Sequence, residues 1–202
     1  MDDDILTGSI FPVIAQVETG AHSAREKNRI LSELSRVALM MSATCGRFRL
    51  NQVVKSEFGA PLPDGGVHWS VSHKDTMVAA VCAGFPVGID IEKVVPRSAS
   101  LLDYIACRKE WELIGAKDWP NFYRLFTAKE AASKQSGEGI SALRAFRLIS
   151  CPLPGLLILE RKGQKTEICQ LKVPGHIVSV TFGQRTEWKI LDAPLRWEDV
   201  VE

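Results

Sequence analysis

The sequence predicts an α+β fold, and three observations carry that prediction. Long stretches with apolar residues at helical spacing stand at 24–44 and 119–135, short β-type runs crowd the rest of the chain, and Gly and Pro punctuate those runs closely enough for hairpins. A chain of 202 residues, 46% of them hydrophobic, is long enough for one or two compact units with a real core.

Taken in order, Ile10 to Val17 reads as a strand. Ala24 to Thr44 reads as a helix, since Ile30, Leu31, Leu34, Val37, Ala38 and Met41 recur on one face, and Gly46 ends it. Arg47 to Val54 reads as extended, and the Gly- and Pro-rich stretch from Gly59 to Gly66 as a loop. Three strands are expected in quick succession: Val67 to Ser72, Met77 to Ala83 and Pro86 to Glu92. Ser98 to Gly115 is helical in pattern, and so is Trp119 to Gln135, opened by Asp118 and Pro120 and stopped by Ser136 to Gly139. Short strands follow at Phe146 to Ile149, Leu156 to Glu160, Thr166 to Val173, His176 to Phe182 and Trp188 to Leu191. No internal repeat is visible by eye.

Charge narrows the class of function. With 25 basic against 24 acidic residues the chain lacks the basic footprint of a protein that grips long nucleic acid, so any anion it binds is small and locally held. The N-terminus is acidic and leads into no continuous apolar stretch. The longest apolar run, Met77 to Ile91, is broken by Gly84, Pro86, Gly88 and Asp90. A cytoplasmic protein that neither spans a membrane nor binds nucleic acid is the expectation. The five cysteines, Cys45, Cys82, Cys107, Cys151 and Cys169, show no metal-ligand spacing and read as reduced thiols.

Three segments carry chemistry. In Val87-Gly88-Ile89-Asp90-Ile91-Glu92 the acids alternate with apolar residues, so Asp90 and Glu92 share one face of a strand, where they either meet water or lean onto one small cation. In Phe126-Thr127-Ala128-Lys129-Glu130-Ala131-Ala132-Ser133-Lys134, Glu130 and Lys134 stand four apart. They form either a surface ion pair or, at the edge of the Phe122, Leu125 and Phe126 stripe, one wall of a cleft. Trp69 to Asp75 reads as a strand running into a tight polar turn, in which Ser72, His73 and Lys74 either close a plain hairpin or cradle a phosphate.

Together and in this order, Ser-His, then Gly-Ile-Asp-Ile-Glu, then Phe-Thr-Ala-Lys-Glu with a following Lys, the segments resemble the 4′-phosphopantetheinyl transferases. Gly59-Ala60-Pro61 ahead of them and Lys134 to Gly139 after them are similar to the longer, tandem (Sfp-type) branch. The resemblance implies a pseudo-dimer of two similar α+β halves. The boundary falls near Pro86, giving an N-terminal half 1–86 and a C-terminal half 87–202 that carries the metal-binding acids. It implies transfer of the 4′-phosphopantetheine arm of coenzyme A to a serine hydroxyl of an apo acyl or peptidyl carrier protein, of the kind used in fatty acid, polyketide or nonribosomal peptide biosynthesis. The products are the holo carrier and 3′,5′-ADP. The alternative is a non-catalytic carrier-protein or nucleotide-binding module of the same fold.

Carried over by residue, the resemblance implies a magnesium ion on Asp90, Glu92 and Glu130, a pyrophosphate contact from Lys134, and coenzyme A phosphate contacts from Ser72 and His73. Gly59 and Pro61 flank the nucleotide, where Ala60 replaces the lysine many relatives have and Lys74 offers a substitute charge. Arg25, Lys27, Arg29 and Arg36 on the first helix are candidates for the ribose phosphate, Arg25 and Arg29 foremost. Glu130, a water beside it, or His73 takes the serine proton. A monomer is expected, since both halves lie in one chain. For the carrier, Lys93, Arg97, Arg108 and Lys109 stand around Leu101, Leu102, Tyr104 and Ile105, where the leucines and Ile105 either form the apolar centre of a docking surface or face the core.

Overall fold

The computed structural model describes residues 8–20, 23–57, 59–137 and 139–198, without the side chains of 140–142. The chain forms two compact units, one running to Val87 and including the stretch from Gly183 onward, the other spanning Gly88–Phe182.

The first unit begins with β1 (Ser9–Ile10) and β2 (Val13–Glu18), continues through α1 (Ala24–Cys45), and returns as the hairpin β3 (His68–Lys74) and β4 (Met77–Ala83). Ser23 caps α1 by accepting a hydrogen bond from the Glu26 N–H, and Gly46 ends it. Ile30, Leu31, Leu34, Ala38 and Leu39 bury one face of α1 against Val13, Ala15, Val78, Ala80 and Trp69 of the sheet. Among the described residues segment 47–54, expected to be extended, forms no strand; the Val54 carbonyl accepts from the Leu62 N–H, and Asp64 accepts hydrogen bonds from the N–H groups of Asn51 and Gln52.

The second unit opens with β5 (Ile89–Lys93), followed by α2 (Ser100–Ile105), α3 (Arg108–Ile114), α4 (Trp119–Ser136) and the meander β6 (Arg147–Leu153), β7 (Leu156–Arg161), β8 (Gln164–Val173) and β9 (His176–Thr181). Its antiparallel sheet has the order β5-β9-β8-β7-β6. The helix expected over 98–115 is two helices. Ala106 and Cys107 are extended, and Cys107 opens α3 through a capping box with Glu110. Asp118 caps α4, Pro120 sits in its first turn, and Gly137 ends it at φ 73°.

The last strands, β10 (Arg185–Thr186), β11 (Lys189–Ile190) and β12 (Leu195–Arg196), pair in parallel with β1 and β2. A division at residue 86 puts everything beyond it in the second half, whereas residues 183–198 join the first unit. Their two-residue strands, too short to show an alternating pattern, are held by ladder bonds to β1 and β2. The first unit thus sets α1 against the sheet β11-β2-β4-β3, with β1-β10 as a separate two-stranded sheet, and the second sets α4 against its five-stranded sheet, an α+β architecture. Among the described residues no helix is long and apolar enough to cross a membrane.

Candidate active site

The site is built where β5 meets α4. On β5, Asp90 stands opposite Ser179 and Glu92 opposite Ile177 of β9. The Ser179 hydroxyl is 2.7 Å from that of Thr127 on α4, and Ile177 packs with Phe122 and Leu125 of the same helix. Because side chains alternate along a strand, both acids project toward α4.

Gly88 is what lets the two elements approach so closely. A Cβ at this position would overlap the carbonyl oxygen of Ala131 and lie 2.8 Å from the Gln135 nitrogen, both of them α4 backbone. Only glycine allows the helix to rest there.

From the helix, Glu130 and Lys134 meet these acids. Lys134 Nζ donates to Asp90 Oδ1 at 2.8 Å and to the Ile89 carbonyl at 2.9 Å, so its ion pair crosses from helix to sheet. Glu130 is 8% exposed and Asp90 6%. Burial pushes the Glu130 carboxyl up to about 7, with the negative charge of Asp90 adding to the rise, Lys134 opposing it and Glu92 adding further. Three carboxylates feel one another here and raise the proton affinity of the most central.

That donor set is hard oxygen, and its mutual repulsion favours a small divalent cation. Among the described residues no three acidic, histidine or cysteine side chains are already gathered as a metal-binding group. The acids suit an ion whose remaining ligands are phosphate oxygens and water, as magnesium prefers.

The basic and hydroxyl residues expected to hold a nucleotide belong to the first unit. Ser72, His73 and Lys74 are the last residues of β3, paired with Ala79, Val78 and Met77, and the turn falls on Asp75 and Thr76 instead. Asp75 takes φ 58° and holds Lys27 of α1 at 3.1 Å, so the turn is pinned to the helix. Ser72 and Lys74 therefore share one face of the strand and His73 takes the other with Trp69 and Val71, so the polar cradle of the sequence reading is split between faces.

Arg25 and Arg29 are exposed on the first turns of α1 and line, with Ser23 and Glu26, an open cavity of about 520 Å³. Arg29 also lies 4.9 Å over the ring of Trp197. Arg36 is exposed, 3.6 Å from Glu33, and Lys27 is engaged by Asp75. Gly59 has φ 79° in a turn closed by its N–H to the Ser56 carbonyl, and Pro61 bridges Lys55.

Around α2 the apolar centre is smaller than the sequence suggests. Ile105 is buried and Leu102 packs against the core, because both lie on the inward side of a six-residue helix; Leu101 and Tyr104 remain exposed. Arg108 pairs with Glu112 at 2.7 Å.

Sequence reasoning missed the largest polar feature of this unit. Lys129 is fully buried and donates to Glu110 at 2.7 Å and to the Ile105 carbonyl at 2.6 Å. Glu110 also accepts from the N–H groups of Leu148 and Cys107 and from Arg147. The signal was present: Lys129 falls on the stripe set by Phe122, Leu125 and Phe126, where an apolar residue is expected. A second network joins α4 to the sheet, with Gln170 donating to Ser179 and to the Arg124 carbonyl, and Arg124 donating back to Gln170.

Comparison with known proteins agrees with this geometry. Residues 86–179, which contain β5, α4 and every acid of the site, match the 4′-phosphopantetheinyl transferase superfamily. The chain is 36% identical over 93 residues to 4′-phosphopantetheinyl transferase Sfp of Bacillus subtilis (strain 168), covering 42% of this chain and 41% of that protein. It is 30% identical over 90 residues to 4′-phosphopantetheinyl transferase gsp of Aneurinibacillus migulanus, covering 43% and 38%, and 32% identical over 113 residues to the ffp transferase of Bacillus subtilis, covering 51% and 50%. The aligned part spans half or less of each relative's own length. The matched stretch, with its paired acids on β5 and its Lys-Glu helix, is similar to the 4′-phosphopantetheinyl transferase superfamily and to its Sfp-type proteins.

Proposed function

We propose that the protein transfers the 4′-phosphopantetheine arm of coenzyme A to a serine hydroxyl of an apo acyl or peptidyl carrier protein. The observation that supports this reading best is the buried Glu130 carboxyl, which feels the charges of Asp90 and Glu92, beside the Lys134–Asp90 pair at the β5–α4 contact, inside the stretch that matches the superfamily.

In this reading Asp90, Glu92 and Glu130 would hold a magnesium ion. When bound, that ion offsets charge on the breaking phosphoanhydride. The residues do the rest. Lys134 turns its ammonium to the diphosphate and stabilises the leaving oxygen. The carrier serine oxygen forms a new bond to the β-phosphorus while the bond from that phosphorus to the bridging oxygen breaks. 3′,5′-ADP departs with the electron pair, and the serine proton passes to the Glu130 carboxylate. His73 is the second candidate base. Ser72, His73, Lys74, Gly59 and Pro61 serve the nucleotide, and Arg25 and Arg29, at the start of a helix where backbone N–H groups favour anions, serve the ribose phosphate.

The same reading makes the protein a cytoplasmic monomer with no nucleic-acid or membrane partner. The carrier docks on the exposed Leu101 and Tyr104, with Lys93, Arg97, Arg108 and Lys109 as the candidate basic rim. Product analysis tests the chemistry. Coenzyme A consumed with a carrier and magnesium chloride should release one 3′,5′-ADP per carrier modified and none with a serine-to-alanine carrier. Release of free phosphopantetheine without a carrier would instead mark a hydrolase.

A further inference from the structure

Asp90 is a buried carboxylate that already has a cation of its own. Its Oδ1 receives Lys134 Nζ at 2.8 Å, and the same ammonium donates to the Ile89 carbonyl one residue earlier on β5, which fixes it over the strand. Asp90 is 6% exposed and the Lys134 side chain 28%, so the pair is shielded on the acid's side and open on the lysine's side. A carboxylate at that depth is costly without a compensating charge. Lys134, extended from a helix that Gly88 holds against the strand, provides that charge.

An ammonium on Oδ1 and a divalent cation on the same carboxylate repel each other, so each weakens the other's hold on Asp90. Moving Lys134 away relieves that repulsion but costs two hydrogen bonds as well as the attraction to Asp90. The cost is recovered only if an anion arrives to accept the ammonium. A diphosphate does this, and at the same time lends oxygens to the ion. We propose that Lys134 is the resident counter-ion of Asp90 and competes with the divalent cation, so that ion and diphosphate substrate bind cooperatively rather than independently. This rests on reading Asp90, Glu92 and Glu130 as ion ligands. It assigns Lys134 a positioning role before chemistry, distinct from its contact with the leaving group, and it makes coupling between the two ligands reciprocal, with coenzyme A tightening the ion as much as the ion tightens coenzyme A.

Calorimetric titration of magnesium chloride into the full chain, alone and with saturating coenzyme A but no carrier, tests this without reference to turnover. The parent should bind the ion weakly alone and about tenfold or more tightly with coenzyme A, within the usual span of coupling between sites. Lys134→Gln and Lys134→Met, both on the open side of the helix, should bind magnesium alone several-fold more tightly than the parent, and the gain from coenzyme A should shrink toward none. Lys165→Gln removes one charge from an exposed position on β8 that has no part in the site, and should leave both quantities close to the parent's. Unchanged or weaker ion binding in both Lys134 variants overturns the proposal. So does equal tightening in Lys165→Gln, which would mark a general charge effect. Glu130→Gln separates the two readings. If it abolishes ion binding while the Lys134 variants match the parent, only the counter-ion role is lost. If it leaves ion binding intact, the ligand assignment falls and the proposal with it.

Discussion

Lys129 Nζ lies 2.7 Å from Glu110 Oε1 with both side chains withdrawn from solvent, and this pair ties α4 to the start of α3 one residue away from Glu130. Burial alone would push the Glu110 carboxyl up. The hydrogen bond from Lys129, the Leu148 N–H, the Lys129 charge and the Cys107 N–H outweigh it and hold that carboxyl below the usual range. Removing one partner leaves the other charge buried, so Lys129→Met should cost about 3–5 kcal/mol in denaturant unfolding. A loss below about 1 kcal/mol, the scale of an exposed pair, would show that Arg147 and the backbone donors suffice for Glu110.

Gly88 fixes the spacing of β5 and α4. Gly88→Ala must push its methyl into the α4 backbone, where no flexible side chain can give way. It should destabilise by about 1–3 kcal/mol or more and lower transfer in whatever fraction folds, because Asp90 and Glu130 then separate. Parent-like melting and transfer together would show that the helix shifts at little cost.

Glu130 makes the metal-free protein sensitive to pH. Its folded carboxyl titrates near 7 against an ordinary value of 4.5, so between those values the folded state keeps a proton that the unfolded state has lost. Stability is then fully present at low pH and is lost as pH rises through about 7. Glu130→Gln removes this titration. Free of divalent ions, at about pH 8, the variant should exceed the parent by at most about 3 kcal/mol, and the gap should close as pH falls below the carboxylate range. A parent no less stable than the variant at high pH contradicts the burial argument.

How much of this was legible in the sequence depends on how far each feature reaches along the chain. α1 and α4 were visible with their ends because capping is local: Asp118, Pro120 and Gly46 mark boundaries by their own chemistry. The acids of β5 and the Lys-Glu pattern of α4 were also visible, as ordered motifs. What stayed hidden was tertiary. Nothing near Lys134 indicates that it pairs with an acid 44 residues earlier, or that Glu110 and Lys129 meet. The parallel pairing of residues 185–196 with β1 and β2 joins opposite ends of the chain, and no two-residue strand carries a pattern strong enough to announce it. The break at Ala106 and Cys107 was missed because the apolar spacing runs on through it, while the capping box starts a new helix there.

For the carrier, charge reversal at Arg97 and Arg108 tests the docking face. Arg108→Glu also faces Glu112 with a like charge in place of its present partner. The double reversal should raise KM for the apo carrier several-fold at low salt, with the effect fading as salt rises and coenzyme A binding unchanged. Equal carrier kinetics for the double reversal and the parent across a salt series would place docking elsewhere.

The central claim is that this chain loads carrier proteins through the acids of β5 and α4, and intact-mass measurement of an apo carrier incubated with the protein, coenzyme A and magnesium chloride tests it most directly. The parent should add the mass of one phosphopantetheine arm to the carrier. Asp90→Ala and Glu130→Ala, confirmed folded by circular dichroism, should slow that gain by more than about a hundredfold. An apo carrier left unmodified by the folded parent, or modified at the parent's rate by either variant, would contradict the account.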